Sequence, residues 1–230
     1  MMSTMAVNDV QLLTGERLRI TTDGSAQVTG TGSSVDYYSP SVTRTFTSGT
    51  LGHLDVACTH VLEAELVSRS VYDSFELRIA HGLDGNNTFA ALRGARFELM
   101  TAFGGPALDD GAVRAAFRQF RIVEDPDGFV VRPLETLGPA AIGSDATVVF
   151  EGRGIVQVFA GDAAAQAAPD WAGTSTAAGE LWRVDDPEGG APQFVIAFPG
   201  AVAHVFPRPE SSWTTPAWAE WLDTFSLELV

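Results

Sequence analysis

Three side chains able to bind a transition metal fall within eight residues: His53, Cys58 and His60. Thiolate and imidazole donors in one short run are the raw material of a zinc site. Their neighbours, Leu54 to Cys58 and Val61 to Val67, read as strands, and on a strand successive side chains point to opposite faces. Cys58 and His60 then share a face with Leu54 and Val56, while His53 points away. Two ligands on an apolar face do not close a zinc site, which needs four. The spacing favours a buried cysteine beside a partly exposed histidine, and no metal is expected.

Carboxylates are the next source of chemistry. Asp125 with Asp127, and Asp185 and Asp186 with Glu188, could offer oxygens to calcium. Neither loop has the twelve-residue pattern closed by a glutamate. Aspartate forms turns in its own right, so both stretches are expected as plain turns. A glycosidase-type carboxylate pair is not specified by a chain holding 29 acidic residues. Nucleophilic catalysis needs a Ser or Cys beside a base, and there is no G-x-S-x-G segment. His81 and His204 have no sequence context that pairs them with a nucleophile, so a hydrolase built on either with Asp or Glu is the weakest reading. Gly30-Thr31-Gly32 lacks the following helix and third glycine of a dinucleotide loop, and Gly152-Arg153-Gly154 falls in a hairpin. The 14 basic residues are all arginine, which removes Schiff-base, phosphate-loop and lysine-base chemistry together. No catalytic residue and no cofactor is expected, and the chain reads as a non-enzyme.

Five tryptophans could supply stacking surfaces. Trp218, Trp221, Leu222 and Phe225 recur at i, i+3, i+4 and i+7, the spacing of a helix that buries one face. Trp171 and Trp213 fall in loops instead and are the residues expected to touch a ligand or partner, a glycan among the ligands such rings could stack on. The sequon Asn86-Asn87-Thr88 decides nothing without a secretory route.

Bulk properties narrow the partners. The formal net charge of −15 at pH 7 repels a phosphate backbone, since nucleic-acid affinity depends on clustered cations displacing counterions. The longest apolar run, Phe194 to Phe206, is too short to span a bilayer and is interrupted by Pro199 and Gly200. Met1 to Asp9 has neither the basic region nor the apolar core of a secretory signal. A single cysteine cannot form an intrachain disulfide. Neither nucleic acid nor membrane is expected as a partner.

The elements that would position these residues are mostly strands. Arg17, Arg19 and Thr21 alternate with Leu18 and Ile20, Asp23-Gly24 is a hairpin-type turn, and short strands follow at Ala26 to Thr29, Val35 to Tyr38 and Val42 to Phe46. With the strands expected at 54–58 and 61–67, turn signals recur about every ten residues, the rhythm of a small sandwich or barrel. Signals weaken from Ser68 to Asn87. Beyond them, Asp109 or Asp110 can cap a helix over Ala112 to Phe120. Hairpins are expected across Asp125-Pro126-Asp127-Gly128 and Glu151-Gly152-Arg153-Gly154. Residues 160–179 read as a long loop, followed by strands at 180–184, 193–198 and 202–206. A helix starting at Thr215-Pro216 and a closing strand at 226–230 end the chain. The fold class is mostly β with minor α: a small sandwich or barrel over 1–67, a connector over 68–88, and an α+β domain with hairpins over 89–230.

The run Glu16-Arg17-Leu18-Arg19-Ile20-Thr21-Thr22-Asp23-Gly24-Ser25-Ala26-Gln27-Val28, with Tyr37-Tyr38, Arg44-Thr45-Phe46 and Leu54-Asp55-Val56-Ala57-Cys58, resembles the small β-sandwich modules of tailed-bacteriophage virion proteins. The resemblance covers residues 10–66 and rests on texture. It implies a structural role on head fibres, decoration proteins or tail parts, many copies working with other virion proteins, and a location in the virion. It brings no catalytic residue with it.

Overall fold

Alternation of apolar and polar side chains governs most of the architecture, which a computed structural model describes for residues 5–40, 42–137, 141–176, 179–186, 191–208 and 215–230. In chain order the elements begin with β1 (Met5–Gln11), β2 (Arg17–Asp23), β3 (Val28–Tyr38), β4 (Thr43–Thr50), α1 (His53–Ala57), a π-helical turn (Cys58–Leu62), β5 (Ala64–Tyr72), β6 (Phe75–Gly82), β7 (Asn86–Arg93) and β8 (Phe97–Pro106). They continue with α2 (Asp110–Phe117), β9 (Phe120–Asp125), β10 (Gly128–Pro133), β11 (Ala141–Phe150), β12 (Gly154–Ala160), α3 (Asp162–Ala167), β13 (Thr174–Ser175), β14 (Glu180–Val184), β15 (Gln193–Phe198), β16 (Ala201–Pro207), α4 (Thr215–Leu222) and β17 (Ser226–Leu229). The protein is mostly β, with few helices, as the alternation predicts.

The chain folds as two units. The first comprises Met1–Gln11, Glu16–Gly32 and Gly143–Val230; the second comprises Leu12–Gly15 and Ser33–Ile142. In the first unit, β2 lies between β1 and β17, antiparallel to both. Leu18 and Ile20 are fully buried while Arg17 is exposed, the half-buried pattern expected of this strand. Backbone hydrogen bonds from Arg17 to Val230 and back close the pairing. The other strands of this unit run in the order β13-β14-β15-β16-β12-β11-β3. Trp218, Trp221, Leu222 and Phe225 are all buried, as their helical spacing requires. The Trp221 ring meets Phe225 at 4.7 Å and Phe150 at 5.4 Å, both edge-on.

In the second unit the order is β3-β4-β8-β7-β6-β5, all antiparallel. One apolar cluster joins Tyr37, Phe46, Leu77, Ile79, Leu92 and Leu99 from the strands with Val113 and Phe117 of α2 and Phe120, Phe129 and Val131 of the β9–β10 hairpin. Asp109 caps α2 as expected, its carboxylate accepting the Ala112 N–H at 2.8 Å. A second, smaller cluster contains Leu54, Ala80, Phe89 and Ala91. Leu77 and Ile79 serve the first cluster and Ala80 the second, so β6 buries side chains on both faces.

Several expected elements take another form. Leu54 to Cys58 is helical, and helix continues as the π turn where a strand was expected from Val61. The reason lies in Leu54, Cys58 and Leu62, which recur every fourth residue and all pack into the second cluster. Burial of that helical stripe overrides the strand preference of Val56 and Val61. Residues 68–88, expected as a connector, belong to β5, β6 and β7, and Asp84-Gly85 turns between the latter two. The 160–179 stretch is not one loop but carries α3 and β13. The turn at Asp23-Gly24 exists, closed by Ala26 N–H on the Asp23 carbonyl, yet the strands it joins are not partners: β2 pairs with β1 and β17. Residues 1–67 therefore supply strands to both units, because one partner of β2 lies at the far end of the chain.

Candidate functional site

The sequence-predicted residues do not converge. His53 begins α1, with its ring against the Gly49 backbone, and burial pushes its imidazole below the usual value. Cys58 opens the π turn; burial, with Asp55 nearby, raises its thiol and so lowers its thiolate fraction. Strand geometry is therefore not what separates the three donors. Among the described residues no group of three or more His, Cys, Asp or Glu stands together as a metal site would require. His81 Nε2 lies 3.0 Å from the Leu108 carbonyl and His204 Nε2 lies 2.7 Å from the Ala167 carbonyl. Both rings are occupied by backbone, and His204 also sits edge-on to Phe159 at 5.1 Å.

The acidic loop at Asp125 behaves as a turn. Asp125 accepts backbone N–H groups from Asp127 at 2.9 Å and Gly128 at 3.1 Å, which is turn chemistry. Asp185 pairs with Arg183 at 2.8 Å, and Glu188 lies outside the described residues. Of the two loop tryptophans, Trp213 also lies outside them. Trp171 is 56% exposed, and its carbonyl accepts the indole N–H of the buried Trp182 at 2.6 Å.

An ion-pair group in the second unit carries no sequence signature. Arg78, on β6, donates to Glu98 of β8 at 2.9 Å and to both oxygens of Asp55 at 2.6 and 3.1 Å. Glu98 also accepts the Leu54 N–H at 3.0 Å, tying the start of α1 to the sheet. The Arg78 hydrogen bonds hold the Asp55 carboxyl below its usual range. This group fixes α1 in place. All its members are engaged with one another, so it is architecture rather than a reactive centre.

The feature best suited to act on something outside the chain is a row of apolar side chains in the first unit. Val149 of β11 stands directly opposite Ile155 of β12, which stands opposite Phe206 of β16. Their neighbours in sequence, Val148, Phe150, Val156 and Val205, are buried on the inner face. Alternation turns the row outward, leaving its members 36%, 42% and 40% exposed. An antiparallel sheet normally presents polar residues on a solvated face. Here the row lines a concavity of about 470 Å³, with Thr29, Glu151, Pro207 and Arg208 also contributing walls. Such a site offers apolar contact with polar groups nearby to orient what binds. The signal was present in the sequence: 148–150 and 155–156 are apolar at every position, not every second one.

Comparison with protein-family models, curated proteins and solved structures gives no match.

Proposed function

We propose that this protein is a non-catalytic structural component of a phage virion, at the head, neck or tail, acting through protein–protein contacts with copies of itself and with other virion proteins. The observation that carries the reading is the outward row Val149, Ile155 and Phe206. Three large apolar side chains aligned across adjacent strands gain roughly 25 cal/mol for each Å² a partner removes from water, which favours a covered over a bare surface. The setting is supported by the texture of residues 10–66, similar to the β modules of virion proteins. Quantitative mass spectrometry of purified particles tests it. The expected result is this chain at a fixed copy number per particle; its absence from particles, with the protein wholly in the free fraction, overturns the reading.

A second reading has one observation of its own in Trp171, whose ring is exposed while the buried Trp182 holds its backbone. An exposed indole is a platform for a sugar ring. Fluorescence titration against a glycan panel is expected to give a saturable change that Trp171→Ala removes. No response to any sugar, or an unchanged response in the variant, contradicts it.

A further inference from the structure

The outer face of the β9–β10 hairpin places like charges side by side. Arg121 stands directly opposite Arg132, and Val123 directly opposite Val130. Both arginines are exposed residues. Neither has an ion-pair or hydrogen-bond partner among the described residues, in a chain where acidic residues outnumber basic ones by 29 to 14. The hairpin's own Glu124 is on the other face, accepting the backbone N–H groups of Ala95, Arg96 and Phe97 at 2.7 to 3.0 Å. Like charges directly opposite one another on a sheet destabilise it. The four side chains line a small pocket of about 210 Å³. Gly15, at φ +96, brings bare backbone against this face: a Cβ there would lie 3.2 Å from Arg132 Nη2 and 3.3 Å from Val130.

We propose that this face binds a carboxylate group carried on a short branched apolar stem. The two guanidiniums take the oxygens, for which their planar fork is matched, and the valine pair receives the stem. An anion between them converts a repulsive pair into two charge-assisted contacts. The carboxylate can come from a free organic acid or from an acidic side chain of a second copy; the pocket volume fits the free acid, and the second copy is an outcome of the test.

The experiment is an amide-resonance titration of the full chain with isovalerate, with neutral isovaleramide as the isosteric control. Expected are saturable shifts at Arg121, Val123, Val130 and Arg132, no saturable response to the amide, and affinity weakened about tenfold or more by Arg121→Gln with Arg132→Gln. No saturable shift, an equal response to the amide, or an unchanged response in the double variant overturns the proposal. Sedimentation of the same samples assigns the source. Self-association abolished by isovalerate and by the double variant supports the site with a second copy as donor. A sedimentation coefficient unmoved by either supports the site with a free acid as donor. Substitutions in the Val149 row should leave the titration unchanged, so this site and the virion reading can fail separately.

Discussion

Arg78 and Glu98 form an ion pair at 2.9 Å with the arginine side chain 1% and the glutamate 0% exposed. Asp55, the other carboxylate on the same guanidinium, is 57% exposed. One arginine thus serves two acids in different solvent environments, and the two contacts should differ in energy. Arg78 Nε has no hydrogen-bond partner among the described residues, so the buried cation depends on Glu98 and Asp55 through its two Nη atoms.

Removing the buried carboxylate leaves the Arg78 charge offset only by the solvent-screened Asp55. Glu98→Ala should cost about 3–5 kcal/mol of stability, and Asp55→Asn at most about 1 kcal/mol, because water already screens that carboxylate. Arg78→Met with Glu98→Leu should cost less than Glu98→Ala alone. Urea unfolding of the variants checks this ordering; equal losses for Glu98→Ala and Asp55→Asn would contradict it.

Tyr37 is 2% exposed, its hydroxyl donates to the Val131 carbonyl, and burial pushes its pKa up from 10.0 to about 12. The folded state therefore holds this proton more tightly than the unfolded chain does. The stability tied to the neutral phenol is fully present below pH 10 and is lost as pH rises through 12, a loss of about 3 kcal/mol across that window. Tyr37→Phe should flatten the stability profile between those pH values. In absorbance titration of the native protein, the latest-ionising of the 3 tyrosines should vanish in the variant; a profile as steep as the unaltered protein's would count against the assignment.

Much of this fold was legible in local pattern. Arg17 to Thr21 showed its buried side, Asp125-Pro126-Asp127-Gly128 showed its turn, and Trp218 to Phe225 showed its helical face. What could not be read depends on distant partners. Nothing near Arg17 announces that Val230 closes its strand, and nothing near Leu54 announces the patch around Ala80 and Phe89 that draws it into a helix. The Arg78–Glu98–Asp55 group is invisible for the same reason, since its members are 20 and 23 residues apart from Arg78. Trp171 is exposed, and the Val149 row emerges only once the pairing of β11, β12 and β16 sets its three side chains side by side.

Trp221 packs against Phe150, Phe225 and Trp218, and the Arg153 guanidinium lies 4.7 Å above its ring. Trp221→Ala should cost about 3–5 kcal/mol, through lost contact area and an unfilled cavity. Trp221→Phe, which keeps an aromatic ring there, should cost less. Thermal unfolding followed by far-ultraviolet circular dichroism checks both. A Trp221→Ala protein as stable as the parent would remove this residue from the core of the first unit.

The claim that the outward face of Val149, Ile155 and Phe206 exists to be covered by protein is tested most directly by sedimentation velocity over a concentration series, comparing the parent with Ile155→Asp. Ile155 is already 42% exposed, so the substitution should leave the unfolding midpoint nearly unchanged. The expected result is a defined multimer for the parent that dissociates at least tenfold more readily in the variant. A parent that stays monomeric throughout, or a variant that assembles identically, contradicts the account.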